Sequence, residues 1–216
     1  GGGIDMASWL PDVKAVLMAW YPGQQGGTAV SEIITGKVSP SGKLPISIEE
    51  RLEDNPCYAN YYENVPRMRV PEINPYSRNE YREGIFMGYR GYEKNGVKPL
   101  FPFGFGLSYT SFEYSDAKAA KASMKADGTM KISVDVKNVG ECDGHEIVQL
   151  YIADPVASID RPAKELKGFE KVYLKAGETA KVTFEIDAAD LSFYDVAKGG
   201  WNAEPGEFQA LIGSSS

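Results

Sequence analysis

One histidine, two cysteines and a shortage of positive charge set the first limits on this 216-residue chain. With His145 as the sole imidazole, no Ser-His-Asp or Cys-His arrangement can be assembled within it, and a metal site would have to rely on carboxylates. Cys57 and Cys142 stand far apart, in no CxxC or histidine-flanked pattern. Neither a zinc site nor a disulfide framework is therefore expected, and both thiols should be free. No run approaches the ~20 apolar residues of a membrane span. Lysine and arginine total 23 against 30 acidic residues, a formal charge of -7. The average field of such a chain repels a phosphate backbone or an anionic lipid surface, so neither nucleic acid nor membrane is an expected partner.

What is present is ample apolar material. A hydrophobic content of 43%, with 12% aromatics, is enough for a packed core in one or two domains and excludes a disordered tail. Gly1 to Asp5 run without a methionine into patterned sequence, and the strand-like Phe208 to Gly213 is followed only by three serines. Both ends are expected to be truncations of something longer.

The nearly continuous apolar run Val13 to Trp20 has the length of a buried strand in a parallel sheet, with a helix as the rival reading. It ends in Tyr21-Pro22-Gly23-Gln24-Gln25-Gly26-Gly27, a turn by composition. In Thr28 to Ile34, Ala29, Val30, Ile33 and Ile34 then sit at helical spacing, and Gly36 is placed to end that helix. After the loop Ser39 to Lys43, the segment Leu44 to Ile48 reads as a short strand, completing strand, turn, helix, strand, which is α/β grammar. From Glu49 to about Gly106 prolines, tyrosines and charges dominate. The pairs Asn55-Pro56, Val65-Pro66, Val70-Pro71 and Asn74-Pro75 each bias the preceding residue away from helix, so a long, largely irregular segment is expected. Loops of this length either clasp another domain or are surface excursions. The pattern then changes to alternation. Met130 to Lys137, Ile147 to Ile152, Ala180 to Ile186 and Glu207 to Ile212 each present every second residue to an apolar face, separated by turn clusters. That describes a small antiparallel β-sandwich. The boundary is placed near residue 115, with Asp116 to Lys125, rich in Ala and Lys, as a linker in preference to a short helix.

Candidate chemistry is sparse. Gly23 to Gly27 lies between a strand and a helix, where phosphates can bind, but matches neither GxGxxG nor GxxxxGK[ST]; a turn needing positive φ is the simpler reading. Phe101-Pro102-Phe103-Gly104-Phe105-Gly106 fits a ligand platform or, preferably, the packing of a domain junction. Glu32, Glu80, Glu83, Asp154, Asp160 and Glu165 are available carboxylates. Glycoside hydrolysis needs two of them facing each other across a sugar, ~5 Å apart for retention, and most are expected to be solvated, with Asp154-Pro155 in a turn. His145 is expected at a strand edge, and Lys164 to Lys167 as a mixed-charge edge.

Several blocks in order carry a resemblance: Ala19 to Gly27, Ser39 to Pro45, Tyr81 to Arg90 and Pro99 to Thr110. These resemble the segments closing the α/β sandwich domain of family-3 glycoside hydrolases. Lys137-Asn138-Val139-Gly140, Gln149-Leu150-Tyr151, Arg161-Pro162, Glu165 to Phe169 and Pro205 to Phe208 resemble the fibronectin type III-like domain that follows it. The expected fold class is thus α/β plus all-β, a partial α/β sandwich domain over residues 1–114 and an immunoglobulin-like (fibronectin type III-like) antiparallel β-sandwich over 115–216.

The resemblance implies the non-catalytic carboxy-terminal part of a retaining exo-β-glucosidase. Its nucleophilic Asp would lie on a separate TIM-type barrel and its acid/base Glu upstream of the Trp20-Tyr21-Pro22-Gly23 block. No catalytic, cofactor-binding or metal residue is carried onto this sequence, and no cofactor is expected. The implied partners are the missing barrel and, for the intact enzyme, β-glucosides or cello-oligosaccharides. Tyr58, Tyr61, Tyr62 and Tyr76 are candidates for the aglycone side of its pocket. A β-xylosidase or other exo-β-glycosidase, and a stand-alone carbohydrate-binding or interaction module, are the alternatives.

Overall fold

The computed structural model describes residues 4–63 and 81–216, with the backbone alone at 61–63. Its first half is built from short helices and irregular segments. Helix α1 spans Gly26–Ile34, two residues earlier than the periodicity indicates, and its close is as expected: Gly36 has φ +75° and donates to the Ile33 carbonyl. Gly26 can open the helix because the Pro22 ring lies where a Cβ would be, 2.7 Å away. Helices α2 (Tyr58–Glu63) and α3 (Tyr89–Lys94) interrupt the segment read as irregular. Each is six residues long, too short for a 3.6-residue period to show in sequence.

Leu44 to Ile48 does pair, with the aromatic block fifty residues on. Ile48 and Phe101 exchange backbone hydrogen bonds of 2.8 and 3.1 Å, Leu44 donates to the Phe105 carbonyl at 2.8 Å, and Gly104 donates back to Leu44 at 2.8 Å. Val13 to Trp20 departs from the expectation of a buried strand. It is neither helix nor part of a sheet, and Val13, Val16 and Leu17 are exposed. A parallel strand exists only between neighbours that supply its hydrogen bonds, and the described residues supply none for it.

The second half is a two-layer antiparallel sandwich. One sheet has the order β1 (Phe112–Ala119), β2 (Met130–Asn138), β5 (Thr179–Ile186); the other β4 (Glu165–Leu174), β3 (Gly144–Ala153), β8 (Gln209–Gly213). A short helix, α4 (Ala188–Leu191), and a hairpin of β6 (Phe193–Asp195) with β7 (Gly200–Asn202) close one end. Alternation decides which side chains go inside. Met130, Ile132, Val134 and Val136 of β2 meet Val182, Phe184 and Ile186 of β5, and Val148, Leu150 and Ile152 of β3 face them. Each such burial contributes about 1.5–3 kcal/mol relative to exposure. Gly168 lets β4 close on this layer, since a Cβ there would lie 3.0 Å from the Phe184 ring.

One boundary is corrected. Asp116 to Ala119 are strand rather than linker: β1 continues past a register shift between Ser115 and Lys118, where Asp116 takes φ +52°. His145 lies near the start of β3, where β4 flanks it and β8, which pairs only from Gln149 on, does not; it is half-buried, with its ring 5.0 Å from that of Tyr173. Cys57 and Cys142 are free thiols, as expected.

Candidate functional site: the junction of the two halves

The aromatic block and α3 lie on the outer face of β3 and on the loop entering β4. Gln149, 3% exposed, is the centre of the first contact. Its Nε2 donates to the Gly104 carbonyl at 3.1 Å and to the Ser214 carbonyl at 2.7 Å, while Tyr151 donates its hydroxyl to Oε1 at 2.6 Å. Gly104 has φ +79°, and a Cβ there would sit 2.2 Å from Gln149 Oε1, so glycine is required for both conformation and space. Tyr89 stacks on Phe103 with centroids 5.0 Å apart, meets Tyr151 edge-on at 6.0 Å, and accepts the Leu166 amide on its hydroxyl at 3.0 Å. The block Phe101 to Gly106 is thus a junction, the preferred of its two readings.

A second contact is ionic. Lys43, from the Ser39 to Lys43 loop, reaches Glu146 at 3.0 Å with side-chain exposures of only 11% and 6%. Lys43 also donates to the Gly106 carbonyl, and Tyr114 donates to Glu146 at 3.1 Å. Burial, and then the charge of Glu146, push the Tyr114 hydroxyl far above the usual phenol range. Burial does the same to Tyr151.

The carboxylates read as solvated are largely paired. Asp154 is not merely a turn residue: its Oδ2 takes Arg161 Nη1 at 3.0 Å, with both side chains under 10% exposed. Arg161 also binds Glu165 and the Leu191 carbonyl, each at 3.0 Å, and lies over the Phe193 ring. Glu165 is shared with Arg90 at 3.0 Å. Asp160 binds Lys94, Glu32 binds Lys37, and Glu83 accepts from Asn60. Glu80 and Tyr76 lie outside the described residues, as do the side chains of Tyr61 and Tyr62. Sequence reading missed the Arg161 cluster because its partners come from a strand end, a helix end and a neighbouring strand, at spacings no period reveals.

Chemically, these groups hold elements together. A cavity of about 230 Å³ beside Tyr89, Tyr92 and Lys164 is lined by one carboxylate, Glu93, and a more open one of about 340 Å³ by Glu83 alone. Glycoside hydrolysis requires two facing carboxyl groups, an arrangement neither cavity has. Among the described residues no group of three or more His, Cys, Asp or Glu could hold a metal ion.

Fold and junction together define an accessory two-part assembly, a β-sandwich bound to a piece of an α/β layer. Comparison with known proteins gives the family. Residues 1–109 match the glycosyl hydrolase family 3 C-terminal domain, and residues 146–216 a fibronectin type III-like domain. The chain belongs to glycosyl hydrolase family 3. It is 46% identical to thermostable beta-glucosidase B of Acetivibrio thermocellus over 208 residues, covering 96% of this chain and 26% of that protein. It is 43% identical to beta-glucosidase BoGH3A of Bacteroides ovatus, covering all of this chain and 28% of that one. Among solved structures, the GH3 beta-glucosidase of Bifidobacterium adolescentis superposes with a TM-score of 0.86 at 38% identity, over 99% of this chain and 30% of its own. The chain therefore matches the carboxy-terminal part of these proteins and spans under a third of their length.

Proposed function

We propose that this chain is the non-catalytic carboxy-terminal part of a retaining, exo-acting β-glucosidase that hydrolyses terminal non-reducing β-D-glucosyl residues. Its work is structural: it completes an α/β layer and docks it to a TIM-type barrel that carries the chemistry. The proposed division places the sandwich from Phe112, where β1 begins, three residues before the 114/115 boundary read from sequence, and leaves the residues before it to the α/β part. The observation that carries the reading is Val13 to Trp20, apolar on both faces yet exposed and without ladder partners. Placed as a strand in a parallel sheet covered by helices, it would bury Val13, Val16 and Leu17 and satisfy its backbone. Ile34, at the end of α1, and Val38 are further exposed apolar side chains.

In the intact enzyme an Asp nucleophile and a Glu acid/base, ~5 Å apart, would form and hydrolyse a covalent glycosyl intermediate without metal or cofactor. Its substrates would be β-glucosides or cello-oligosaccharides. The relatives named above all bear the beta-glucosidase name, which favours glucose over xylose as the glycone.

The test is complementation. The purified chain should release no nitrophenol from p-nitrophenyl β-glucoside. Mixed with the separately produced upstream part of the Acetivibrio thermocellus relative, it should co-elute and restore turnover, and Met18→Pro should prevent assembly by breaking the docking strand. Turnover by the chain alone, or assembly indifferent to Met18→Pro, would overturn the reading.

A further inference from the structure

The loop between β3 and β4, together with Glu165 at the start of β4, is tied to α3 by three pairs of opposite sign. Arg90 meets Glu165 at 3.0 Å, Glu93 meets Lys164 at 3.0 Å, and Lys94 meets Asp160 at 2.6 Å. The charges on the helix, plus, minus, plus, are answered by minus, plus, minus from the loop and the first residue of β4. The loop is itself fixed to the sandwich by buried Arg161, which holds Asp154, Glu165 and the Leu191 carbonyl. A loop anchored at its base and charge-matched at its tip is a strap over α3.

The far side of α3 leads to another element. A Cβ on Gly91 would fall 2.5 Å from the Pro56 Cβ and 2.2 Å from the Phe86 carbonyl oxygen, so the helix backbone lies directly on Pro56. Tyr92, 2% exposed, donates to Glu49 at 3.1 Å. Pro56 leads directly into α2, whose Asn60 donates to Glu83 in the segment preceding α3. Burial, followed by the hydrogen bond to Glu83, lifts the Cys57 thiol to about 11. We infer that the sandwich controls the conformation of residues 55–63 through the strap on α3, so that the β-domain acts as a positioning device for the tyrosine-bearing segment that starts at Tyr58. Packed elements with discrete arrangements transmit such restraint, whereas a solvated linker would not. The inference rests on contacts within this chain and does not depend on the glucosidase reading.

The experiment is amide hydrogen exchange on the 216-residue chain. Glu93→Lys combined with Lys94→Glu reverses two of the three pairs and leaves the Arg161 cluster intact. Exchange at residues 55–63 should quicken about tenfold, the scale expected for two partly exposed pairs turned repulsive, while core amides of β2 and β3 keep their rates. Adding Asp160→Lys and Lys164→Glu restores complementarity and should return 55–63 to within about threefold of the parent. If the reversed pair loosens the whole chain, the milder Asp160→Asn serves in its place, with about a twofold rise confined to 55–63 and α3. Faster exchange in α3 with 55–63 unchanged, or no recovery in the fourfold variant, would overturn the inference.

Discussion

Gly104→Ala measures how firmly the two halves are joined. Two costs add. An alanine at φ +79° occupies the left-handed region, costing about 1–2 kcal/mol. Its Cβ, 2.2 Å from Gln149 Oε1, also expels the Gln149 amide from a site held by three hydrogen bonds. Gln149 cannot yield cheaply, because its departure strands the hydroxyl of Tyr151, a residue only 2% exposed, at about 1–3 kcal/mol. The sum is about 2–5 kcal/mol, which at an m-value near 2 kcal/mol/M lowers the urea midpoint by roughly 1–2.5 M. Urea unfolding followed by tryptophan fluorescence reads this directly. In a Gln149→Ala background the steric part has already been removed, and Gly104→Ala should cost only the backbone share of about 1–2 kcal/mol. An equal cost in both backgrounds, or a midpoint unmoved by Gly104→Ala alone, would refute the reasoning.

The buried pair Lys43 and Glu146 should behave asymmetrically. Lys43→Met leaves an unpaired carboxylate and should cost about 3–5 kcal/mol in thermal or urea unfolding, while adding Glu146→Gln should recover at least half, since the amide oxygen still accepts from Tyr114. Acid stability should depend on Asp143, whose carboxyl is held below its usual 3.8, first by the Tyr173 hydroxyl and then by the Ala176 amide. A depressed folded value means the unfolded chain takes up the proton first, so this contribution is complete above pH ~4 and fades as pH falls further. Melting temperatures of Asp143→Asn and the parent should therefore differ at pH 7 and converge toward pH 2.

The strands legible in sequence are those with one buried face. In β2 and β5 a polar or charged residue alternates with a core residue, so periodicity alone locates them. Strand β4 was invisible for a physical reason: at the edge of its sheet, Glu170, Lys171 and Phe169 are exposed and the alternation is lost. Charged edges of this kind discourage pairing with another chain. The aromatic block was readable as junction material, because Phe and Gly alternating with Pro suit close packing. Its pairing with Leu44 to Ile48 was not, since a ladder across fifty residues leaves no local trace. The strap is hidden in the same way: Arg90, Glu93 and Lys94 look like any solvated helix until the loop at 160–165 is brought over them.

The polar character of the junction follows from what it has to specify. Apolar contact alone, such as Tyr89 on Phe103, stabilises association but tolerates sliding, because dispersion and burial have little direction. Gln149, Arg90 and Lys43 each require a partner at one place, and a shift of an ångström would leave a buried amide or charge unsatisfied at a cost comparable to the whole contact. The sandwich is thereby held in one register against the first half. In the proposed enzyme that register would pass through α3 to Pro56 and through the Leu44 to Ile48 ladder toward α1. The exposed segment Val13 to Trp20 would then meet the rest of the sheet from a fixed platform, with less ordering entropy lost on docking.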